Sequence, residues 1–363
     1  MMKGLATSAF RRMLSVLPGP LADAVSGLGF KVSGRPYVFF DPALHPAARL
    51  KRGAVTFSAD FEMAWAFRYS RSSAGECVAM GLREREQVPK ILAAMEEYTI
   101  PITWATVGHL FLSQCTRGAN GLAHPELRRP DHFDGHWRFT SGDWYQHDPC
   151  SDVKKDPAWY APDLIEAILS SRCHHEVASH GFSHMGFGDY CSDEVAEAEL
   201  DASVAAMGTF GLRPRTFVFP GNEVGKLRLI SAKGFEIVRS FPFSLSDISL
   251  PLRLPEGPWG IHSTSPVDTG TMAVNSERRL ARYLKFVDRA IEARMCAHFW
   301  FHPSLSDEQL NGLLIPLLRT CAELREKGLL DVMTVGGVVD ETIRAGGPQR
   351  TQKENLRRQQ NVN

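Results

Sequence analysis

Residues 175–184 read His175-Glu176-Val177-Ala178-Ser179-His180-Gly181-Phe182-Ser183-His184, and this stretch decides the fold. Its first half reads as the end of a short strand (175–179), and its second half places two histidines just beyond that strand. Helical patterns flank it at 161–171 and at 192–209, the second opened by Ser192-Asp193-Glu194. The alternation continues outward in both directions. Upstream lie a strand at 54–59, a helix at 84–98 with Val88, Ile91, Leu92 and Met95 at helical spacing, and a strand at 100–107. Downstream lie strands at 215–219, 236–239, 297–301 and 330–335, separated by helices at 226–234, 277–294 and 307–327. Repeated β-α units of this length make a parallel sheet, open or closed into a barrel, so the fold class is α/β.

The chain has 363 residues, with 41 Lys+Arg against 41 Asp+Glu. Length alone allows two domains, but barrels run to about 250 residues as one unit. The sequence predicts a partly helical leader at 1–50, one barrel at 51–343 with a long insertion at 113–160, and a basic tail at 344–363 without a packed core. Zero formal charge argues against nucleic acid as partner, because a phosphate-tracking protein needs a basic stripe. The seven cysteines are odd in number and contain no C-x-x-C pair, which fits a reducing compartment. Arg11 and Arg12 interrupt the apolar run that begins like a signal peptide. No uncharged apolar stretch approaches roughly 18 residues, so no transmembrane segment is expected. The expected location is cytoplasmic. Residues 5–28 have the pattern of a weakly amphipathic surface helix broken at Pro18-Gly19-Pro20. Such a helix covers the domain's flank or makes weak peripheral membrane contact.

Three segments at the carboxyl ends of expected strands concentrate the reactive side chains: Ser58-Ala59-Asp60-Phe61-Glu62, His180 to His184, and Phe299-Trp300-Phe301-His302-Pro303. Parallel α/β sheets place their sites at that edge. If residues 180–184 make one helical turn, both imidazoles face one cation, and a carboxylate from Asp60 or Glu62 is the natural third ligand. Strand alternation puts Asp60 and Glu62 on the same face, where one ligates and the other accepts a proton from water. A plainer alternative is an ion pair of this acidic pair with Arg68 or Arg239. His302, after an apolar strand, is placed to donate a proton to a leaving amine. His175-Glu176 with His180 has one residue too many for the H-E-x-x-H of a metalloprotease. In the insertion, Trp137, Trp144, Tyr145, Trp159 and Tyr160 form either a stacking wall for sugar rings or a buried anchor for the loop.

In the order and spacing of these segments, residues 53–340 resemble the polysaccharide deacetylase family, the carbohydrate esterase group with NodB homology. Residues 175–184 resemble the family's second motif, Ser58 to Trp65 its first motif in a D-F-E variant, Phe217-Val218-Phe219-Pro220-Gly221-Asn222 its third, and Phe299 to Pro303 its closing motif. The resemblance implies a distorted (β/α)7-type barrel, a divalent metal, usually zinc, and hydrolysis of an N-acetyl group from an amino sugar. It implies His180 and His184 as ligands, with Glu62 or Asp60 as the third; the assignment made is Glu62 as ligand, Asp60 as base and His302 as acid. Ala59 stands where the family has the first of two adjacent aspartates. Val218 stands near its arginine, with Arg239 as the substitute. Pro220, Asn222 and Arg239 are the residues expected to face a carbohydrate substrate, backbone N–H groups near Pro220 to Asn222 helping to hold an oxyanion. The same barrel accommodates a deformylase, a cyclic amide hydrolase or a non-catalytic carbohydrate-binding relative.

Overall fold

The computed structural model describes residues 49–346, except 71–73, 136, 240–247, 255–256 and 269–275. The expected leader up to residue 48 and the tail from residue 347 lie outside the described residues. The central strand is β1 (Gly53–Phe61), nine consecutive buried residues. Such an unbroken run of burial is the mark of a strand covered on both sides. After a single turn, α1 (Ala64–Phe67), the chain forms α2 (Cys77–Tyr98) and returns as β2 (Thr103–Thr106). The insertion contributes a small antiparallel hairpin, β3 (Phe133–Asp134) and β4 (Arg138–Phe139). There follow α3 (Pro162–Ser170), β5 (Glu176–Ser179), α4 (Asp193–Gly208), β6 (Thr216–Val218), α5 (Leu227–Ala232) and β7 (Ile237–Arg239). Ser192 caps α4 by accepting the Val195 N–H, as its place before Asp193-Glu194 suggests.

Three short strands not expected from the sequence come next: β8 (Leu252–Arg253), β9 (Trp259–Ile261) and β10 (Ser265–Pro266). The last units are α6 (Ser276–Ala293), β11 (Cys296–Phe301), a helix beginning at α7 (Asp307–Gln309), passing through a π turn and continuing as α8 (Ile315–Glu326), then β12 (Leu330–Met333) and α9 (Val335–Arg344). Parallel pairing runs β10-β11-β1-β2-β5-β6-β7-β9, with β8 antiparallel on β9 and β12 tucked beside the lower half of β1. Residues 259–266 pair with β7 at their start and β11 at their end. That one run of chain curls the sheet round into the distorted barrel.

Register fixes what faces the lumen. Phe57 pairs with Phe299, Ala59 with Trp104, and Ser179 with Phe217, and this set points outward to the helices. The other set points inward: Ser58, Asp60, Thr103, Ala105, Glu176, Ala178, Val218, Arg239 and Trp300. Ala105, Ala178 and Val218 form their own small apolar layer, separate from the main core. Below it, Glu176 ties the amino ends of the strands together. Its carboxylate accepts Thr216 Oγ1–H at 2.5 Å, Thr103 Oγ1–H at 2.8 Å and the Gly336 N–H at 2.9 Å, the last from the first turn of α9. His175 Nδ1 accepts the Ile102 N–H at 3.1 Å. Both residues of the false H-E-x-x-H pattern are therefore occupied in holding strands, at the end of β5 remote from His180.

Glu176→Ala should lower stability by about 2–4 kcal/mol, the scale of losing hydrogen bonds to a charged acceptor together with a favourable helix N-terminus. Urea unfolding measures it, and an unchanged midpoint would show that the knot contributes nothing.

Candidate functional site

Above the apolar layer, the carboxyl ends of the strands bring together residues distant in sequence. Glu62, one residue past β1, directs Oε1 at His180 Nε2, 2.8 Å away, and at His184 Nε2, 3.1 Å away. The two imidazoles converge without the helical turn expected of residues 180–184. Instead the chain makes a tight loop with Gly181 at φ +71° and His184 at φ +59°. Left-handed backbone is open to glycine and costly for histidine, so something must hold it. Glu199 of α4 does so. Its carboxylate accepts the N–H groups of Phe182 at 3.0 Å and Ser183 at 2.9 Å, the Ser183 hydroxyl at 2.5 Å and the Tyr145 hydroxyl at 2.9 Å. A second buried carboxylate, Glu84 of α2, accepts the N–H groups of Glu62 at 3.1 Å and Met63 at 2.8 Å, where Met63 lies at φ +49°. Burial, reinforced by the Glu62 charge, pushes Glu84 up to about 8.

The donor set fits a cation. His180 Nδ1 lies 2.7 Å from the Val218 carbonyl, so it carries the ring proton and donates it. Nε2 then turns a lone pair toward the Glu62 oxygen, and two acceptors at 2.8 Å repel unless a positive charge lies between them. Burial alone would raise Glu62, but the charges of the facing His184 and His302 hold it well below the usual carboxylate range. One ligand atom each from Asp60, Glu62 and His302 also lies within a mutual 4.8 Å.

Asp60 does not point at the histidines' shared oxygen. Its two oxygens receive Arg239 Nη1 at 2.5 Å and Nη2 at 2.6 Å. Both side chains are almost fully buried, and the guanidinium lies 5.0 Å over the Trp300 ring. Arg239, expected from sequence to steady the base and to face substrate, spends its fork on Asp60. It comes from the strand next to Val218 and in direct register with it. Arg68, the other candidate ion-pair partner, is instead held by the carbonyls of Trp65 and Ser183 among the Trp65, Tyr69 and Trp144 rings. His302 keeps 23% of its side chain exposed, and its Nδ1 lies 2.6 Å from Asp268 Oδ2. Burial would lower it, but Asp268 and Glu62 outweigh that and hold it well above the ordinary histidine range. Its Nε2 stands 3.7 Å from Glu62 Oε2.

Pro220 and Asn222 lie in the turn after β6. Proline has no N–H, and the Asn222 N–H is donated to Phe219 O at 3.0 Å, so neither backbone offers a donor to a bound group. Gly221, at φ +60°, is approached so closely by Trp137 Nε1 that a Cβ would stand 2.5 Å from it. Trp137 also meets the His184 ring edge-on, 5.5 Å between centroids. The other four aromatics of the insertion, Trp144, Tyr145, Trp159 and Tyr160, are buried anchors of the loop, and Trp137 alone of the five keeps partial exposure beside the site.

Asp268, Glu84 and Glu199 went unread in the sequence. Glu199 occupies the buried stripe of α4 with Val195, Ala196, Leu200 and Ser203, and Glu84 that of α2 with Val88, Ile91 and Met95. A carboxylate on an apolar helix stripe is the signal that would have found both. Asp268 follows a two-residue strand containing proline, which leaves no pattern to read.

Residues 79–237 match the model of the polysaccharide deacetylase family. The match includes His180 and His184 and begins after Asp60 and Glu62. No curated protein matches the chain. Among solved structures, it is similar to a Mycobacterium smegmatis protein named for the polysaccharide deacetylases, at TM-score 0.58 and 15% identity over 88% of this chain and 96% of that one. It is also similar to a Pseudomonas aeruginosa PAO1 protein named in the same way (0.54, 14%, over 86% and 95%) and to Puue allantoinase (0.52, 15%, over 85% and 94%). At such identities the likeness is one of fold. The fold is the distorted barrel that the family resemblance implies, and the polysaccharide deacetylase model matches residues 79–237 of it.

Arg239→Met should cost about 3–5 kcal/mol, because it leaves the Asp60 charge buried without its partner. Arg239→Lys should recover part of that loss, without the bidentate fork. Denaturant titration of the three proteins decides, and equal midpoints would contradict a structural pair.

Proposed function

We propose that the chain is a metal-dependent amide hydrolase that removes the N-acetyl group from an amino sugar or a sugar-containing substrate. The observation that carries this reading is the convergence of His180 Nε2 and His184 Nε2 on one oxygen of Glu62, with Asp60 and His302 in an adjoining cluster of ligand atoms that shares Glu62. Glu62, His180 and His184 would hold the cation, and zinc suits two imidazoles and a carboxylate. Bound there, a divalent ion supplies polarisation of the acyl carbonyl and a lowered pKa for water.

The remaining chemistry belongs to the chain. Asp60, its plane fixed by the Arg239 fork, accepts a proton from the attacking water. His302 holds its proton through Asp268, which grips Nδ1 and leaves Nε2 directed at the site. As the acyl C–N bond breaks, His302 Nε2 gives that proton to the departing amine, and acetate and the free amino sugar result. Trp137 offers an aromatic face beside His184 for a sugar ring.

Zinc-loaded protein should release acetate from N-acetylated amino sugars. His180→Ala should abolish turnover and zinc retention by Glu62 and His184, and Asp60→Asn should lower kcat about 10²–10⁴-fold. Turnover of N-formyl sugars or cyclic ureides without acetate release would move the reaction to the other acyl classes. Bound zinc and saturable glycan binding with no hydrolysis would make the protein a binding relative.

A further inference from the structure

A second convergence of ligand atoms lies apart from the first and shares no residue with it. His109, Cys115, His124 and Asp148 each direct one atom into a space where all four lie within 4.8 Å of one another. His109 follows β2 directly, and the other three belong to the insertion at 113–160. His109 Nε2 stands 3.1 Å from His124 Nε2 and 3.2 Å from Asp148 Oδ2, and His124 Nε2 stands 2.9 Å from the same oxygen. Cys115 Sγ is 3.4 Å from that oxygen as well.

Hydrogen bonds leave one edge of this triangle unbonded. It has three edges, two nitrogens and one carboxylate oxygen. If both Nε2 atoms carry protons, both donate to Asp148, and the nitrogens stand side by side at 3.1 Å with no bond between them. If one is bare, its lone pair faces the carboxylate oxygen. If both are bare, all three corners repel. A cation at the centre satisfies every edge at once. Bonds of about 2.1 Å at the tetrahedral angle put ligand atoms about 3.4 Å apart. The three separations among His109, His124 and Asp148, 2.9 to 3.2 Å, need only small outward shifts to reach that.

The surroundings are arranged in the same sense. Behind each histidine, the second ring nitrogen faces an oxygen: His109 Nδ1 the Trp159 carbonyl at 3.4 Å, His124 Nδ1 the Glu126 carboxylate at 3.6 Å. Such outer oxygens orient metal-ligating histidines. Asp148 Oδ1 is occupied by the Cys150 N–H at 2.9 Å and the Tyr160 hydroxyl at 3.3 Å, which leaves Oδ2 for the centre.

We propose that His109, Cys115, His124 and Asp148 form a second, structural zinc site that fastens the insertion to the end of β2. Two imidazoles, one thiolate and one carboxylate make a complete tetrahedral set with no open position, the form of a structural rather than a catalytic centre. On binding, the Cys115 S–H bond gives way to a metal–sulfur bond and the proton passes to solvent. The site also braces the catalytic loop. The Gly108 and His109 N–H groups donate to Gly181 O at 2.8 Å and Phe182 O at 2.9 Å, and the rings of His109 and His124 both pack on Phe182.

The thiolate makes the test selective, since Glu62, His180 and His184 offer no sulfur. Full-length protein stripped with a chelator and reloaded with Co²⁺ should show a cobalt–thiolate charge-transfer band in the near ultraviolet. The band should persist in His180→Ala and in Cys150→Ser and vanish in Cys115→Ser. Zinc counted per chain should fall from two to one in Cys115→Ser and separately in His180→Ala. Should Cys115→Ser fail to fold, the wild-type and His180→Ala spectra still decide. Cobalt-loaded wild type with no thiolate band, or a band that Cys115→Ser leaves in place, overturns the proposal whatever the hydrolysis assays give.

Discussion

The buried carboxylate of Glu199 is the constraint on which the arrangement of this protein turns. It sits on a helix stripe otherwise made of small and apolar residues, where an unpaired charge would be prohibitively costly. Four donors meet it, two of them backbone N–H groups of a loop that is partly left-handed and one the hydroxyl of Tyr145 from the insertion. Without that acceptor, the N–H groups of Phe182 and Ser183 would be buried unpaired, and the loop that turns His184 back toward the oxygen that His180 faces would lose its main anchor. The same contact ties together a helix, the loop that carries His184 and the insertion.

The barrel separates holding from chemistry along its axis. At the amino ends of the strands Glu176 gathers β2, β6 and α9. Three small side chains, Ala105, Ala178 and Val218, close the middle. The polar groups that face one another across the upper lumen, Asp60 with Arg239 and Glu62 with the histidines, lie above that layer. Each is paired because the lumen admits little water to an unpaired charge.

The β-α alternation was readable because its helices and longer strands carry clear periods, and the strand ends named the reactive segments Asp60 to Glu62, His180 to His184 and His302. The spacing of His180 and His184 suggested the right convergence through the wrong geometry, a helical turn in place of a loop held by Glu199. Arg239 could be named as the stand-in for Val218's missing arginine, but its bidentate grip on Asp60 depends on register between β6 and β7, which spacing does not reveal. The stretch from 252 to 268 stayed unread because strands of two or three residues have no period. With it went Asp268, the partner of His302. His109, Cys115, His124 and Asp148 are spread through a long aromatic-rich insertion at irregular intervals, and only folding brings them to one point.

One feature of the sheet governs how the molecule must assemble. β1, near residue 55, pairs with β11 near residue 298 and with β12 near residue 332, while β2 covers only its upper half. The most deeply buried strand therefore waits, with most of its backbone groups unmatched, for partners about 240 to 280 positions further along the chain. Closing so large a loop costs entropy before any pairing repays it, which makes for slow, late consolidation. On a ribosome, where the chain emerges from its amino end, this strand stays exposed until β11 and β12 have followed it, and its protection from aggregation is a task for the cell's chaperones.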